Sequence, residues 1–218
     1  MKTVISITKL SRESWINFKK DQLSWVLLAT GGVALMLISI MAHFYMPGYK
    51  NIAALLLCFP GAIYTAILHQ NGLDAAYGRK LSMMQISSTT LIAAFFFIAM
   101  SLYSPFPEYA ESLSMILPEG SKYILMFNWI IHIAVSYLLV RCMFVGMTIL
   151  EEKCTVLEAF HKSLKLTEGR VWLLLRLFIY LALALALSAF TVIGYFMVLP
   201  YTILMKSLLY RQFVGDKK

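Results

Sequence analysis

The sequence predicts an all-α fold: a polytopic membrane helical bundle of about six transmembrane helices, forming a single integral membrane domain over residues 1–218. Three observations predict it. Of the 218 residues, 60% are hydrophobic and only 14% charged, well outside the soluble average. Stretches such as Trp25 to Tyr45 are apolar all the way round rather than along one stripe, the pattern of a helix solvated by lipid. The basic residues also fall on alternate connections between these stretches, as the positive-inside rule demands.

The first element is an amphipathic segment at residues 3–22, with Trp15 and Phe18 set against Arg12, Lys19 and Lys20. Tryptophan and lysine suit headgroup level, so this segment is expected on the cytoplasmic face. The apolar run that follows, near 25–45, is too long for the h-region of a secretory signal. Its outer end, Met41-Ala42-His43-Phe44, offers no small-x-small cleavage site, so it is read as a retained first span. Further spans are expected near 52–68, 86–102, 123–140, 172–189 and 195–209, windows suited to about 30 Å of hydrocarbon. The last two, as one straight helix, would be almost twice the bilayer thickness at about 1.5 Å per residue. A turn near Thr191 to Gly194 resolves them into a hairpin. Pro60-Gly61 and Pro200 are expected to interrupt spans two and six.

With the N-terminus inside, seventeen of the nineteen Lys and Arg residues lie on the cytoplasmic side, and only Lys50 and Lys122 fall outside. Both termini are therefore placed in the cytoplasm, in the cell inner membrane. The long external loop 104–122 carries Glu108, Glu111 and Glu119 and three prolines, which rule out a long regular helix. The net charge of +8 reads as topological asymmetry rather than a nucleic-acid footprint, since no basic patch interleaved with stacking aromatics occurs outside the spans.

Internal repetition adds a finer expectation. Lys9-Leu10-Ser11, Lys80-Leu81-Ser82 and Lys153-Cys154-Thr155 each place a lysine two residues before a hydroxyl, ahead of an odd-numbered span. The latter two continue as Ser82-x-x-Gln85 and Thr155-x-x-Glu158, a capping-box pattern. Leu138-Leu139-Val140-Arg141 matches Leu208-Leu209-Tyr210-Arg211 at the ends of even-numbered spans. Three tandem hairpin units follow, each preceded by a cytoplasmic amphipathic helix. The clearest such helix is Thr155 to Glu168, with Val156, Leu157, Phe160 and Leu164 on one face.

The stretch Val156 to Trp172, running into an apolar span and ending in Pro200 and Leu209-Tyr210-Arg211, resembles multi-pass bacterial inner-membrane proteins of the YciC-like family. It is similar also to the membrane domain attached to some glycerophosphodiesterases. The resemblance covers about the last third of the chain, with short motifs. It implies a helical inner-membrane protein with no assigned activity.

Little points to an enzyme. His43, His69, His132 and His161 are scattered without metal-ligand spacing, and no Gly-x-Ser-x-Gly occurs. Cys58, Cys142 and Cys154 have no disulfide or metal pattern, and Gly31-Gly32 fits close helix packing. No catalytic residue, metal or cofactor is expected. All eleven acidic residues lie outside the apolar windows, which argues against a carrier coupled through buried carboxylates. Asn128 and His132 in span four, and Ser87-Ser88-Thr89-Thr90 in span three, are expected to bond between neighbouring spans. Arg176 and Lys206 lie near enough to the inner face to snorkel.

The expected function is a binding, scaffold or membrane-homeostasis protein, with a small-solute or lipid transporter as the alternative. Its partners are the lipid bilayer and, at the basic belt, anionic lipids or an acidic membrane-protein partner. The belt residues nominated for that contact are Arg79, Lys80, Arg141, Lys162, Arg170 and Arg211, each worth roughly 1 kcal/mol beside an anionic leaflet.

Overall fold

The computed structural model describes residues 6–45, 50–81, 86–102, 130, 133–188 and 192–215. The regular structure among these residues is entirely helical. The external loop 104–122, Asn128, His132 and the Ser82-x-x-Gln85 box lie outside the described residues.

Helix α1 (Ile7–Lys20) buries Leu10, Ser14 and Phe18, three positions spaced four apart on one face. Lys19 and Lys20 occupy its last turn, where cations complement the helix dipole. Asp21 breaks the helix, and α2 (Gln22–Tyr45) follows at once. Helix α3 (Lys50–Ala76) and α4 (Ser88–Leu102) come next. A helical segment over 133–141 then passes through a turn at 142–144 into α5 (Val145–Glu152). The cap-and-hairpin sequence α6 (Val156–Leu166), α7 (Val171–Ser188) and α8 (Val192–Gly215) completes the chain. By length and composition, among the described residues, the helical stretch Ile133–Glu152 alone is long and apolar enough to cross a membrane. Gln22–Leu35, Ser88–Ile98 and Val171–Ala184 are shorter apolar helices.

Helices α3 and α8 form the centre. Helix α3 packs on α2, α4, α5 and α8, and α8 on α1, α2, α3 and α7. Small residues bring these helices together. The Gly31-Gly32 pair of α2 lies against the Tyr64 ring of α3, whose hydroxyl donates to the Leu28 carbonyl at 2.6 Å. A Cβ added at Gly72 would sit 2.5 Å from Ser207 Oγ and 2.6 Å from Ile203 Cγ2, so α3 and α8 approach closely only because Gly72 lacks one. One core gathers Leu73, Phe144, Met147, Leu209, Tyr210 and Phe213, and a second gathers Phe18, Trp25, Leu28, Ile67 and Leu204.

Several expectations are corrected. The second apolar window stops at Leu68, yet α3 continues two turns further and buries His69, Asn71 and Asp74. The helix tolerates these polar groups because Asn71 Nδ2 donates to the Ile67 carbonyl at 2.9 Å and the His69 ring pairs with the Thr65 carbonyl at 2.8 Å. Both α3 and α8 run through Pro60 and Pro200 without a break. Val192, Ile193 and Gly194 are the start of α8, so the turn expected at 191–194 does not include them. The chain beyond Val140 stays apolar and buried, because Val145 to Leu150 form a core helix rather than a connection.

The lysine-hydroxyl starts are structurally unequal. Lys9-Leu10-Ser11 lies inside α1, which begins after Ser6. Thr155, by contrast, opens α6 with both halves of the capping box made to Glu158. Helix α4 is capped by Ser87: its Oγ accepts from the Thr90 amide at 3.1 Å, while Thr90 Oγ1 accepts from the Ser87 amide at 3.2 Å. The hydroxyl cluster Ser87 to Thr90 therefore serves a local helix start, with Ser87 Oγ also 2.7 Å from Thr89 Oγ1, rather than joining neighbouring helices.

Candidate functional site

The charged residues gather where the ends of α3, α5, α6 and α8 meet. Helix α3 ends in a Schellman turn, with Gly78 at φ +71°, the Gly78 amide on the Ala75 carbonyl at 3.1 Å and the Arg79 amide on the Asp74 carbonyl at 2.7 Å. That turn throws Arg79 across to α5, where it pairs with Glu151 at 2.7 Å while also lying 3.6 Å from Asp74. The Glu151 carboxylate raises the Arg79 pKa above its ordinary value. Helix α5 ends on Lys153 in the left-handed region at φ 51°.

The ends of α3 and α5 and the start of α4 line a cleft of about 390 Å³. Asp74, Arg79 and Glu151 form a closed ionic set in it, and Lys80 and Lys153 supply further positive charge. Gln70 and the hydroxyls of Ser87 and Thr89 add hydrogen-bonding groups. Such a lining suits polar recognition, and among the described residues no group of three His, Cys, Asp or Glu side chains is placed to hold a metal.

The nominated basic residues divide by what they touch. Arg79 and Arg211 converge on the Tyr77 ring, at 4.8 Å and 5.7 Å from its centroid. Arg211 Nη1 also donates to the Ala76 carbonyl at 2.5 Å, so it caps the end of α3 from α8. The Tyr77 hydroxyl is pushed above its ordinary pKa, first by burial and then by the Glu151 charge.

Arg141 reaches α6 instead: Nη2 donates to the Leu164 carbonyl at 2.6 Å, and Ser163 Oγ donates back to the Arg141 carbonyl at 2.7 Å. Lys162 pairs with Glu152, which raises the lysine pKa. Arg170 lies over the Phe213 ring at 4.4 Å. Lys80 is exposed and, among the described residues, makes no ion pair. Most of the basic belt is thus bonded within the protein, a use that residue positions alone do not distinguish from contact with lipid.

Sequence reasoning missed the acidic partners. Glu151-Glu152 stands out as an acidic pair among six basic residues between spans four and five, which was a usable signal. Tyr77 and Asp74 carried none, because their roles depend on where α3 stops.

A second opening lies between α1 and α8. Tyr201 of α8 donates to Ser11 Oγ of α1 at 2.6 Å, tying the two helices, which also line a groove of about 470 Å³ that includes Lys20 and Arg211. Compared with known proteins, the chain matches no family model, no curated sequence and no solved structure.

Proposed function

We propose that the chain is a polytopic inner-membrane helical bundle without catalytic activity, acting as a binding, scaffold or membrane-homeostasis protein through its charged cytoplasmic end. The observation that carries this reading is the row of large apolar side chains left on the outer surface of the long helices. Leu37, Ile38 and Met41 on α2, Leu91 and Phe95 on α4, and Phe178, Leu183 and Leu187 on α7 are exposed. Thr90, Ala93 and Ala94 of α4 are buried, as are Ala62, Ala66 and Asn71 of α3 and Thr202 and Ser207 of α8, beside larger residues such as Trp25 and Leu28 of α2 and Leu174 and Leu177 of α7. Each large apolar side chain left in water forgoes about 1.5–3 kcal/mol, whereas in lipid it forgoes nothing, and small or polar residues then belong between helices. The threefold arrangement of hairpins belongs to the same reading, supported by the order α1-α2-α3 and α6-α7-α8. So does the resemblance of Val156 to Trp172 to the YciC-like and glycerophosphodiesterase membrane-domain-like proteins.

A second reading, a small-solute or lipid transporter, draws on one observation: His69 and Asp74 are buried within α3, giving the bundle ionisable groups that its apolar windows lacked. Two measurements separate these readings. Single cysteines at Tyr109 and Lys165 in a cysteine-free background should differ, the first labelled by an impermeant thiol reagent in intact cells and the second only after lysis. Equal labelling of both before lysis refutes the membrane topology. Reconstitution with a solute and lipid panel, beside crosslinking in intact membranes, then distinguishes flux from stable partners. Flux lost on replacing Asp74 favours the transporter.

A further inference from the structure

We propose that the groove between α1 and α8 is a specific site for one anionic phospholipid headgroup of the glycerol type, an assignment that rests on the membrane reading above. The helical segments α1 and α6 each lie beside the arginine that ends a Leu-Leu-x-Arg run, and the two arginines are used differently. Arg141 bonds directly to α6, donating to the Leu164 carbonyl at 2.6 Å and to Thr167 Oγ1 at 3.4 Å. Beside α1, Arg211, which ends the matching Leu-Leu-x-Arg run, bonds back to Ala76 of α3 and lines a groove of about 470 Å³.

That volume falls in the range of small-ligand sites, and its chemistry fits a phosphodiester carrying hydroxyls. Lys20 from α1 and Arg211 from α8 supply positive charge from opposite walls. The side-chain amides of Asn17 and Gln212 add donors beside them. Glu13, one turn from Asn17 on α1, is an acceptor for headgroup hydroxyls. Among the described residues no ion pair involves Glu13 or Lys20, so neither charge is consumed by the other. Ile16, 46% exposed, gives the groove an apolar lip on the same helix as the exposed Trp15 ring, as a lipid's glycerol backbone requires. Lys19 lies 5.3 Å above that ring and is not among the residues that line the groove.

The test uses the full chain in nanodiscs of phosphatidylcholine containing a minority of phosphatidylglycerol, with bound lipid read by native mass spectrometry. The parent should retain phosphatidylglycerol in preference to phosphatidylcholine. Lys20→Gln should weaken that retention about five-fold, the loss expected of one basic contact near an anionic headgroup. Lys9→Gln, an exposed lysine of α1 outside the groove, should leave it unchanged.

Equal losses from the two variants would show diffuse attraction to a basic face, overturning the site while leaving the membrane reading intact. Displacement of the lipid by excess glycerol phosphate would assign the groove to a soluble phosphate ester and overturn the lipid assignment. No preference between the two lipids in the parent would overturn it as well. Failure of the cysteine-labelling topology would instead remove the membrane reading itself.

Discussion

Helix α3 carries two glycines that should respond oppositely to the same substitution. At Gly61 an added Cβ meets nothing within 4 Å, so Gly61→Ala removes only backbone freedom and should stabilise by about 0.5–1 kcal/mol. At Gly72 the same atom would lie 2.6 Å from Ile203 Cγ2, roughly 1 Å inside an ordinary carbon contact. Ile203 is β-branched and held near one rotamer in a helix, so the overlap must be relieved by moving α8 away from α3. Overpacking of this kind costs about 1–3 kcal/mol, which exceeds or cancels the propensity gain. The two variants should therefore differ by about 1–3 kcal/mol, a separation of roughly 2–12 °C in Tm for a chain of this size. Thermal unfolding in one detergent, with both variants beside the parent, makes the comparison. If Gly72→Ala melts with or above Gly61→Ala, α3 and α8 are not in the close contact described, and the argument for small residues as the packing determinant fails.

Two further predictions concern the charged end. In a double-mutant cycle, Arg79→Gln and Glu151→Gln should couple by about 0.2–1 kcal/mol, because Arg79 is 48% exposed and water screens the pair; a coupling that survives molar salt undiminished would contradict that screening. The Cys154 thiol has its pKa raised, chiefly by burial and against the opposing pull of Lys162. Stability from burying the neutral thiol is thus intact below the unfolded thiol's pKa and is lost as pH rises through the folded one. With Cys58 and Cys142 replaced by alanine, the pH profile of alkylation should have its midpoint above that of the unfolded chain, and a midpoint at or below it would refute the assignment.

The sequence made helices legible wherever a local or uniformly apolar signal sufficed. The windows at 25–45, 86–102 and 172–189 fall on α2, α4 and α7, since a run apolar on every side needs no tertiary information. Thr155 was legible because both halves of its box lie within four residues. Ser87 was not, because its partner is Thr90, and a serine followed by threonine lacks the acidic residue that marks the usual box. The end of α3 was misplaced for a different reason. A hydropathy window penalises His69, Asn71 and Asp74 by composition, whereas packing around the end of α3 buries all three with carbonyl partners or an arginine. The destination of Arg211 was beyond any local reading: its acceptor, Ala76, is 135 positions away.

The division of the basic belt separates two roles that act at different times. A lysine or arginine orients a span during insertion by its position alone, before tertiary contacts exist. The same residue is afterwards free to bond inside the folded protein, so under the proposed membrane topology Arg79, Arg141 and Arg211 would lose no orienting value by capping or bridging helices. Recognition in the folded state then draws on charges without such bonds, joined at the α1–α8 groove by Arg211. Among the described residues Lys9, Arg12, Lys20, Lys80 and Lys153 make no ion pair. Of these, Lys20 and the pair Lys80 and Lys153 line openings in the surface, whereas Lys9 and Arg12 lie outside both. Any selectivity at this end of the bundle is therefore expected from those three lysines together with Arg211, while Arg79 and Arg141 fix the walls between which they act.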